Sequence, residues 1–202
     1  MITIIDYGVG NLFSLSSSLS YLGLENKVSR DPEDLRKADH IILPGVGAYG
    51  DAIAKLRGSG MAEPLLDEAK AGKPIMGICL GMQLLFDKSY EYGEHQGLGL
   101  IPGVMADLKE DIPANLKVPH MGWNSLHIVK DDPLFKYFKE GDYVYFVHSF
   151  YGKDCDESLL ATSEYGIPVT ASAANENIMG CQFHPEKSGE VGLRILKAFS
   201  EI

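Results

Sequence analysis

Apolar positions in the first half of the chain follow two periodicities in turn. Ile2 to Ile5 is a short β-branched run, followed by a turn containing Gly8 and Gly10. Leu12, Leu15, Leu19 and Leu22 then recur at helical spacing, and Gly23 is placed to end that helix. His40 to Leu43 is a second strand-like run, stopped by Pro44 and Gly45. Met61, Leu65 and Ala69 mark another helix, closed by Gly72 and Pro74. Ile75 to Cys79 reads as a third strand and Leu80 to Phe86 as helix again. Strands alternating with helices predict a parallel sheet covered on both faces.

The second half changes character. Leu126 to Val129, Tyr143 to Phe150, Leu159 to Ser163, Val169 to Ala173 and Ile178 to Phe183 are short Val/Tyr/Phe-rich runs separated by turn residues. That spacing predicts hairpins or additions to a mixed sheet. Val191, Ile195, Phe199 and Ile202 share one helical face at the end of the chain. With no repeat, linker or low-complexity tract, the expectation is one α/β domain over residues 1–202. Its sheet should be mixed, mostly parallel and flanked by helices.

Composition narrows the function classes. The chain has 202 residues, 45% hydrophobic and 23% charged, an ordinary globular balance. Eighteen Lys and Arg against 28 Asp and Glu give a net charge of −10. This argues against general affinity for nucleic acid or an anionic membrane surface. No apolar stretch approaches the roughly 18 residues of a membrane span. The first residues read as a buried strand, not a signal peptide, because Asp6 interrupts them and no basic region precedes them. Three cysteines, Cys79, Cys155 and Cys181, cannot all pair within the chain, which suits a reducing, cytoplasmic setting.

Gly77-Ile-Cys-Leu-Gly81 has the form Gly-x-nucleophile-x-Gly where a strand gives way to a helix. Such a turn is sharp, and its glycines stand where side chains would collide. It would expose a sulfur at a helix N-terminus, which favours a thiolate. From this segment alone, a buried structural cysteine is an equal reading. The Phe183-His-Pro-Glu186 segment supplies partners. Alternation puts Ile178, Gly180, Gln182 and His184 on one face and Met179, Cys181 and Phe183 on the other. His184 then emerges at a strand end, stopped by Pro185, with Glu186 two residues on. A histidine oriented by a carboxylate is what a cysteine nucleophile requires.

Cys181 and His184 also form a Cys-x-x-His half-site for zinc, but they lie on opposite faces and no second pair matches, so no metal is expected. Gly45-Val-Gly-Ala-Tyr-Gly50 matches G-x-G-x-x-G after a strand. The acidic residues that follow, Asp67 and Glu68, fall inside a helical pattern, so no dinucleotide cofactor is expected. Bare backbone N–H groups of such a loop could instead face an oxyanion. A tight turn into the next helix is the other reading. Met121 and the only tryptophan, Trp123, sit between polar turns as core residues or as a partner anchor. His148 reads as a satisfied strand-end histidine; His40, His95 and His127 carry no signal.

Six segments together resemble the class I, or triad-type, glutamine amidotransferases, whose fold is flavodoxin-like. They are Ile5–Leu12, Leu43–Gly50, Met76–Gln83, Pro119–Asn124, Tyr145–Tyr151 and Gly180–Ser188. The first and fourth resemble in particular the glutaminase subunits of imidazole glycerol phosphate synthase. Phe150 stands where many relatives carry Tyr. The resemblance implies that Cys79 attacks the side-chain amide of glutamine, with His184 moving the proton and Glu186 orienting it. It implies an oxyanion site at the backbone of Leu80 and Gly47. It also implies a glutamine site formed by Gly45, Gln83, Ser149 and Phe150. The expected partner is a (β/α)8-barrel cyclase subunit that receives the ammonia, with Met121 and Trp123 as interface candidates. Rival readings are a glutaminase serving an anthranilate- or pyridoxal-phosphate-forming synthase, and an idle scaffold subunit.

Overall fold

The computed structural model describes residues 1–202. The first half runs β1 (Ile2–Ile5), α1 (Leu12–Tyr21), β2 (Asn26–Ser29), α2 (Pro32–Lys37), β3 (His40–Leu43), α3 (Tyr49–Gly58), α4 (Ala62–Lys70), β4 (Ile75–Ile78) and α5 (Leu80–Leu85). The second half continues with β5 (Phe86–Ser89), β6 (His95–Gln96), β7 (Ile101–Asp107), α6 (Leu108–Asp111), β8 (His120–Ser125) and β9 (His127–Ile128). It ends with β10 (Tyr143–His148), β11 (Phe150–Lys153), β12 (Leu159–Glu164), β13 (Pro168–Asn175), β14 (Ile178–Cys181) and α7 (Gly189–Phe199).

Eight strands form the main sheet in the order β2-β1-β3-β4-β14-β13-β12-β9. From β2 to β14 every pairing is parallel; from β14 to β9 every pairing is antiparallel. Strand alternation sends Ile5, Ile41, Leu43 and Ile75 to one face and Ile4, Ile42, Met76 and Ile78 to the other. Leu35, Ile53, Leu56, Leu65 and Leu84 of α2 to α5 cover the first face. Leu15 and Leu19 of α1 with Ile195, Leu196 and Phe199 of α7 cover the second. The expected α/β sheet, mixed and mostly parallel with helices on both faces, is what forms. A four-stranded sheet, β11-β7-β5-β6, and a two-stranded ribbon, β10-β8, complete the chain.

Element boundaries depart from the sequence reading where tertiary context decides. Tyr143 to Phe150 is not one strand: β10 pairs with β8, and β11 begins after Ser149 and pairs with β7. The predicted third strand stops at Ile78, because Cys79 leaves the extended conformation. Ile202 lies beyond α7 and is exposed, so only Val191, Ile195 and Phe199 of that stripe are helical. Strand β2 carries two exposed positions at a sheet edge and shows no apolar alternation to detect. Strands β5 to β8 were likewise not foreseen.

Phe199 closes the second core. It is fully buried and meets the His40 ring edge-on at 5.2 Å between centroids. Truncation to alanine removes that packing and leaves a cavity, so Phe199→Ala is expected to lower unfolding stability by about 3–5 kcal/mol. Urea unfolding of the two proteins checks this.

Candidate active site

The strand-to-helix turn after β4 is built under steric constraint. Cys79 sits at φ 54° and ψ −114°, a region non-glycine residues rarely adopt. Its N–H donates to the Cys181 carbonyl at 2.7 Å, and its carbonyl accepts the first bond of α5 from Gln83 N–H at 3.1 Å. The chain passes so close to β3 that a Cβ on Gly81 would stand 1.9 Å from the Leu43 carbonyl oxygen. Helix α5 is only six residues long, so it offers the sulfur nearby backbone N–H groups rather than a long dipole.

The sulfur opens into a cavity of about 310 Å³ lined by Val46, Gly47, Cys79, Leu80, Gln83, Glu91, Pro119, Val147, His148, Ser149, Phe150 and His184. Cys79 Sγ lies 3.9 Å from the Val147 carbonyl and 3.7 Å from Gln182 Nε2. His184 and Glu186 are brought to it by the turn after β14. His184 N–H donates to the Tyr145 carbonyl at 2.9 Å, and the Ser188 hydroxyl donates to the His184 carbonyl at 2.6 Å. Pro185 opens a short 3-10 turn that returns Glu186 to the ring. His184 Nδ1 meets Glu186 Oε1 at 2.9 Å, with both side chains at most 3% exposed. Burial alone would depress this imidazole. Hydrogen bonding and attraction to Cys79 and Glu186 outweigh it and hold the group up at about 9.

Of the other predicted residues, Gly47, Leu80, Ser149 and Phe150 line the cavity, whereas Gly45 does not and packs against the elbow backbone. Gln83 also lines it, but both hydrogens of its amide nitrogen already serve protein acceptors: the Phe150 carbonyl at 3.3 Å and Gln182 Oε1 at 2.9 Å. Only its oxygen is left to face a ligand. The Ser149 carbonyl accepts from Leu108 N–H at 2.9 Å. Met121 and Trp123 lie outside the cavity on the outer side of the ribbon, 61% and 56% exposed. They pair across from Val147 and Tyr145.

Several residues were missed. Glu91 lines the cavity and accepts the Tyr49 N–H at the start of α3; burial raises its carboxyl above the ordinary range. The Tyr7 hydroxyl donates to the Pro44 carbonyl at 2.8 Å and holds the Gly45–Gly47 loop from below. His148 is satisfied, as expected, through the Phe150 carbonyl, yet it also forms the cavity wall beside a buried His120. Nothing local in the sequence distinguished these from ordinary strand residues. Cys155 and Cys181 are buried free thiols that burial pushes up, Cys181 the more strongly.

Comparison with known proteins agrees with this geometry. Residues 3–201 match the glutamine amidotransferase class-I family. The imidazole glycerol phosphate synthase subunit HisH of Caldanaerobacter subterraneus subsp. tengcongensis is 50% identical, over 100% of this chain and 98% of that protein. Its namesake in Lactococcus lactis is 49% identical, over 99% and 98%. Among solved structures, a glutamine amidotransferase superposes with TM-score 0.76 at 18% identity, covering 100% of this chain and 98% of the other. PurLQS from Thermotoga maritima gives 0.76 at 22%, covering 99% and 97%. At such identities the superpositions speak to the fold alone. The family match and full-length relatives carry the assignment: the chain belongs to the class-I glutamine amidotransferases.

Proposed function

We propose that this chain is the ammonia-producing subunit of an imidazole glycerol phosphate synthase, hydrolysing glutamine and passing the ammonia to a separate (β/α)8-barrel cyclase subunit. The observation that carries this reading is the convergence of Cys79, His184 with Glu186 bonded behind it, and Val46 and Gly47 on one cavity. The names of the half-identical relatives support the synthase. Free, unpaired cysteines support a reducing cytoplasm. No helix is long and apolar enough to cross a membrane.

In this mechanism His184 takes the thiol proton and Cys79 sulfur attacks the side-chain amide carbon of glutamine. The carbonyl oxygen becomes an oxyanion met by backbone N–H groups of Leu80 and Gly47, each such donor lowering the barrier by about 2.7–4 kcal/mol. His184 returns the proton to the leaving nitrogen, the C–N bond breaks, and ammonia departs from a thioester. Water, deprotonated by His184, then releases glutamate and the free thiol. Glu186 fixes Nδ1, so Nε2 handles every transfer. Glu91 is the cavity carboxylate suited to the substrate's α-ammonium, with the Gln83 oxygen as a second acceptor. Ammonia is lost if it meets water and protonates, so the acceptor must dock over the outlet. The exposed Met121 and Trp123 are the anchors proposed for it.

Glutaminase activity measured alone, with the cyclase subunit, and with cyclase plus its nucleotide ligand tests the assignment. Stimulation by this cyclase, and not by other synthases, is expected. Cys79→Ala should abolish glutamate release; activity surviving it refutes the nucleophile. Trp123→Ala should weaken assembly by 2 kcal/mol or more, roughly thirtyfold in affinity, with the fold intact. Unchanged assembly would remove Trp123 from the interface.

The protonation states also shape stability. His184 keeps its proton in the folded chain to about 9, whereas the unfolded chain releases it near 6.5. Its contribution is full below 6.5 and is lost as pH rises toward 9. His120 and His148 behave oppositely. Burial lowers them from 6.5 to about 4 and about 3, so their neutral forms stabilise above 6.5 and that contribution is lost as pH falls. Stability is therefore expected to peak near 6.5, with an acid limb up to twice as steep as the alkaline one. Urea midpoints at about pH 5, 6.5 and 8.5 check this; His184→Asn should flatten only the alkaline limb.

A further inference from the structure

Two buried hydrogen-bond chains meet at one backbone oxygen. The Phe150 carbonyl accepts from His148 Nδ1 at 2.9 Å and from Gln83 Nε2 at 3.3 Å. A carbonyl only accepts, so both neighbours must present hydrogens, and this fixes the polar hydrogens further along each chain.

On one side, Gln83 turns its nitrogen to Phe150 and gives its other hydrogen to Gln182 Oε1 at 2.9 Å. Gln182, fully buried, must then turn its own nitrogen the opposite way, and it meets Cys79 Sγ at 3.7 Å. On the other side, His148 carries its hydrogen on Nδ1 and leaves Nε2 bare. Nε2 accepts from His120 Nδ1 at 3.0 Å. His120 Nε2 is thus an acceptor, and Asn124 Nδ2 lies 3.3 Å away, also donating to the Glu164 carbonyl at 2.8 Å. The His120 ring is clamped between Phe146 and Tyr165, with centroids 4.7 and 4.2 Å away. Both chains point their hydrogens into the Phe150 carbonyl, and from Gln83 a second donor sequence runs outward through Gln182 to the sulfur.

We propose that Gln182 is a hydrogen-bond donor to the Cys79 sulfur, that Gln83 is the positioning residue that sets its orientation, and that His148, backed by His120 and Asn124, anchors the Phe150 carbonyl on which Gln83 rests. The bond favours the ionised sulfur, because a thiolate accepts two or three N–H bonds and a thiol accepts them weakly. It leaves His184 free to carry the proton. Burial, with no carboxylate bonded to either ring, keeps His120 and His148 neutral, and a proton on either would break the sequence of donors and acceptors. The inference rests on Cys79 being the attacking group, and its readouts separate the two claims. Alkylation reports the sulfur without turnover, whereas Cys79→Ala tests the attack itself.

Gln182→Met keeps side-chain volume and removes the donor. In the complex with the cyclase subunit, iodoacetamide labelling of Cys79, followed by peptide mass, should slow about tenfold at neutral pH, with its pH profile displaced upward. The kcat for glutamine should fall by a similar factor with KM within about twofold. Unchanged labelling and kcat in the folded variant overturn the proposal. Imidazole nitrogen resonances of the unaltered protein decide independently of any variant. Hydrogens on Nδ1 of both His120 and His148, with bare Nε2 atoms, are expected across neutral pH. A hydrogen on His148 Nε2 in place of Nδ1 would leave the Phe150 carbonyl without its histidine donor and overturn the anchoring part of the proposal, while the labelling decides the donation by Gln182.

Discussion

The parallel pairing of β4 with β14 is the constraint on which the site depends. Its register sets Ile78 beside Cys181, so both strands end at the same edge of the sheet. Because the strands run the same way, their next residues, Cys79 and Gln182, emerge side by side although 103 positions apart. One bond, from the Cys79 N–H to the Cys181 carbonyl, ties the elbow to the neighbouring strand and stabilises the unusual backbone at the cysteine. An antiparallel pairing or a one-residue slip would carry His184 to the wrong end or the wrong face.

Charge at this edge is set by partners, not by residue type. Three histidines stand within one buried region, and all are desolvated. His184 alone has Cys79 and a carboxylate, Glu186, beside it, and it alone is held up, to about 9. His148 has a backbone carbonyl and a second histidine, neither of which compensates a positive charge as a carboxylate would, and it is pressed down to about 3. His184 contributes to that depression through its own charge. The same residue type thus serves as a proton carrier in one place and as a neutral, oriented link a few ångströms away.

How much of this was legible follows from the range of each signal. The α/β alternation, the elbow at Gly77–Gly81 and the strand end at His184 are local patterns, and the chain states them within a few residues. The split at Ser149 was invisible, because Tyr143 to Phe150 is uniformly strand-forming and only the partners β8 and β7 divide it. Edge strand β2 has no apolar face to betray it. Among site residues, Cys79, His184 and Glu186 have chemistry that suggests a role. Gln182 lay within the segment read for its alternation, yet an amide gains meaning only from what it faces. His120 was overshadowed by Trp123 in the same motif, and Glu91 sits in an exposed-looking stretch.

The ribbon β8–β10 explains how an outer surface can lie so near the sulfur without enclosing it. Alternation along β10 puts Val144, Phe146 and His148 inward and Tyr143, Tyr145 and Val147 toward the less buried side. The ribbon belongs to neither larger sheet, so its hold on the body comes from side chains and a few loop bonds. Some bind it to a neighbouring strand, such as Asn124 to the Glu164 carbonyl and the Ser163 hydroxyl to the Ser125 carbonyl, and others lie at the site: Tyr145 carries the His184 N–H on its carbonyl and bonds Ser188 through its N–H, and Val147 faces the sulfur. Opposite Tyr145 and Val147 stand Trp123 and Met121, the exposed apolar pair. A body pressed against that pair bears on strands whose backbone touches both His184 and Cys79, so any displacement of the ribbon is felt at the reacting groups within one strand's thickness. Distance between partner surface and chemistry is here a matter of two paired strands, not of a long relay through the fold.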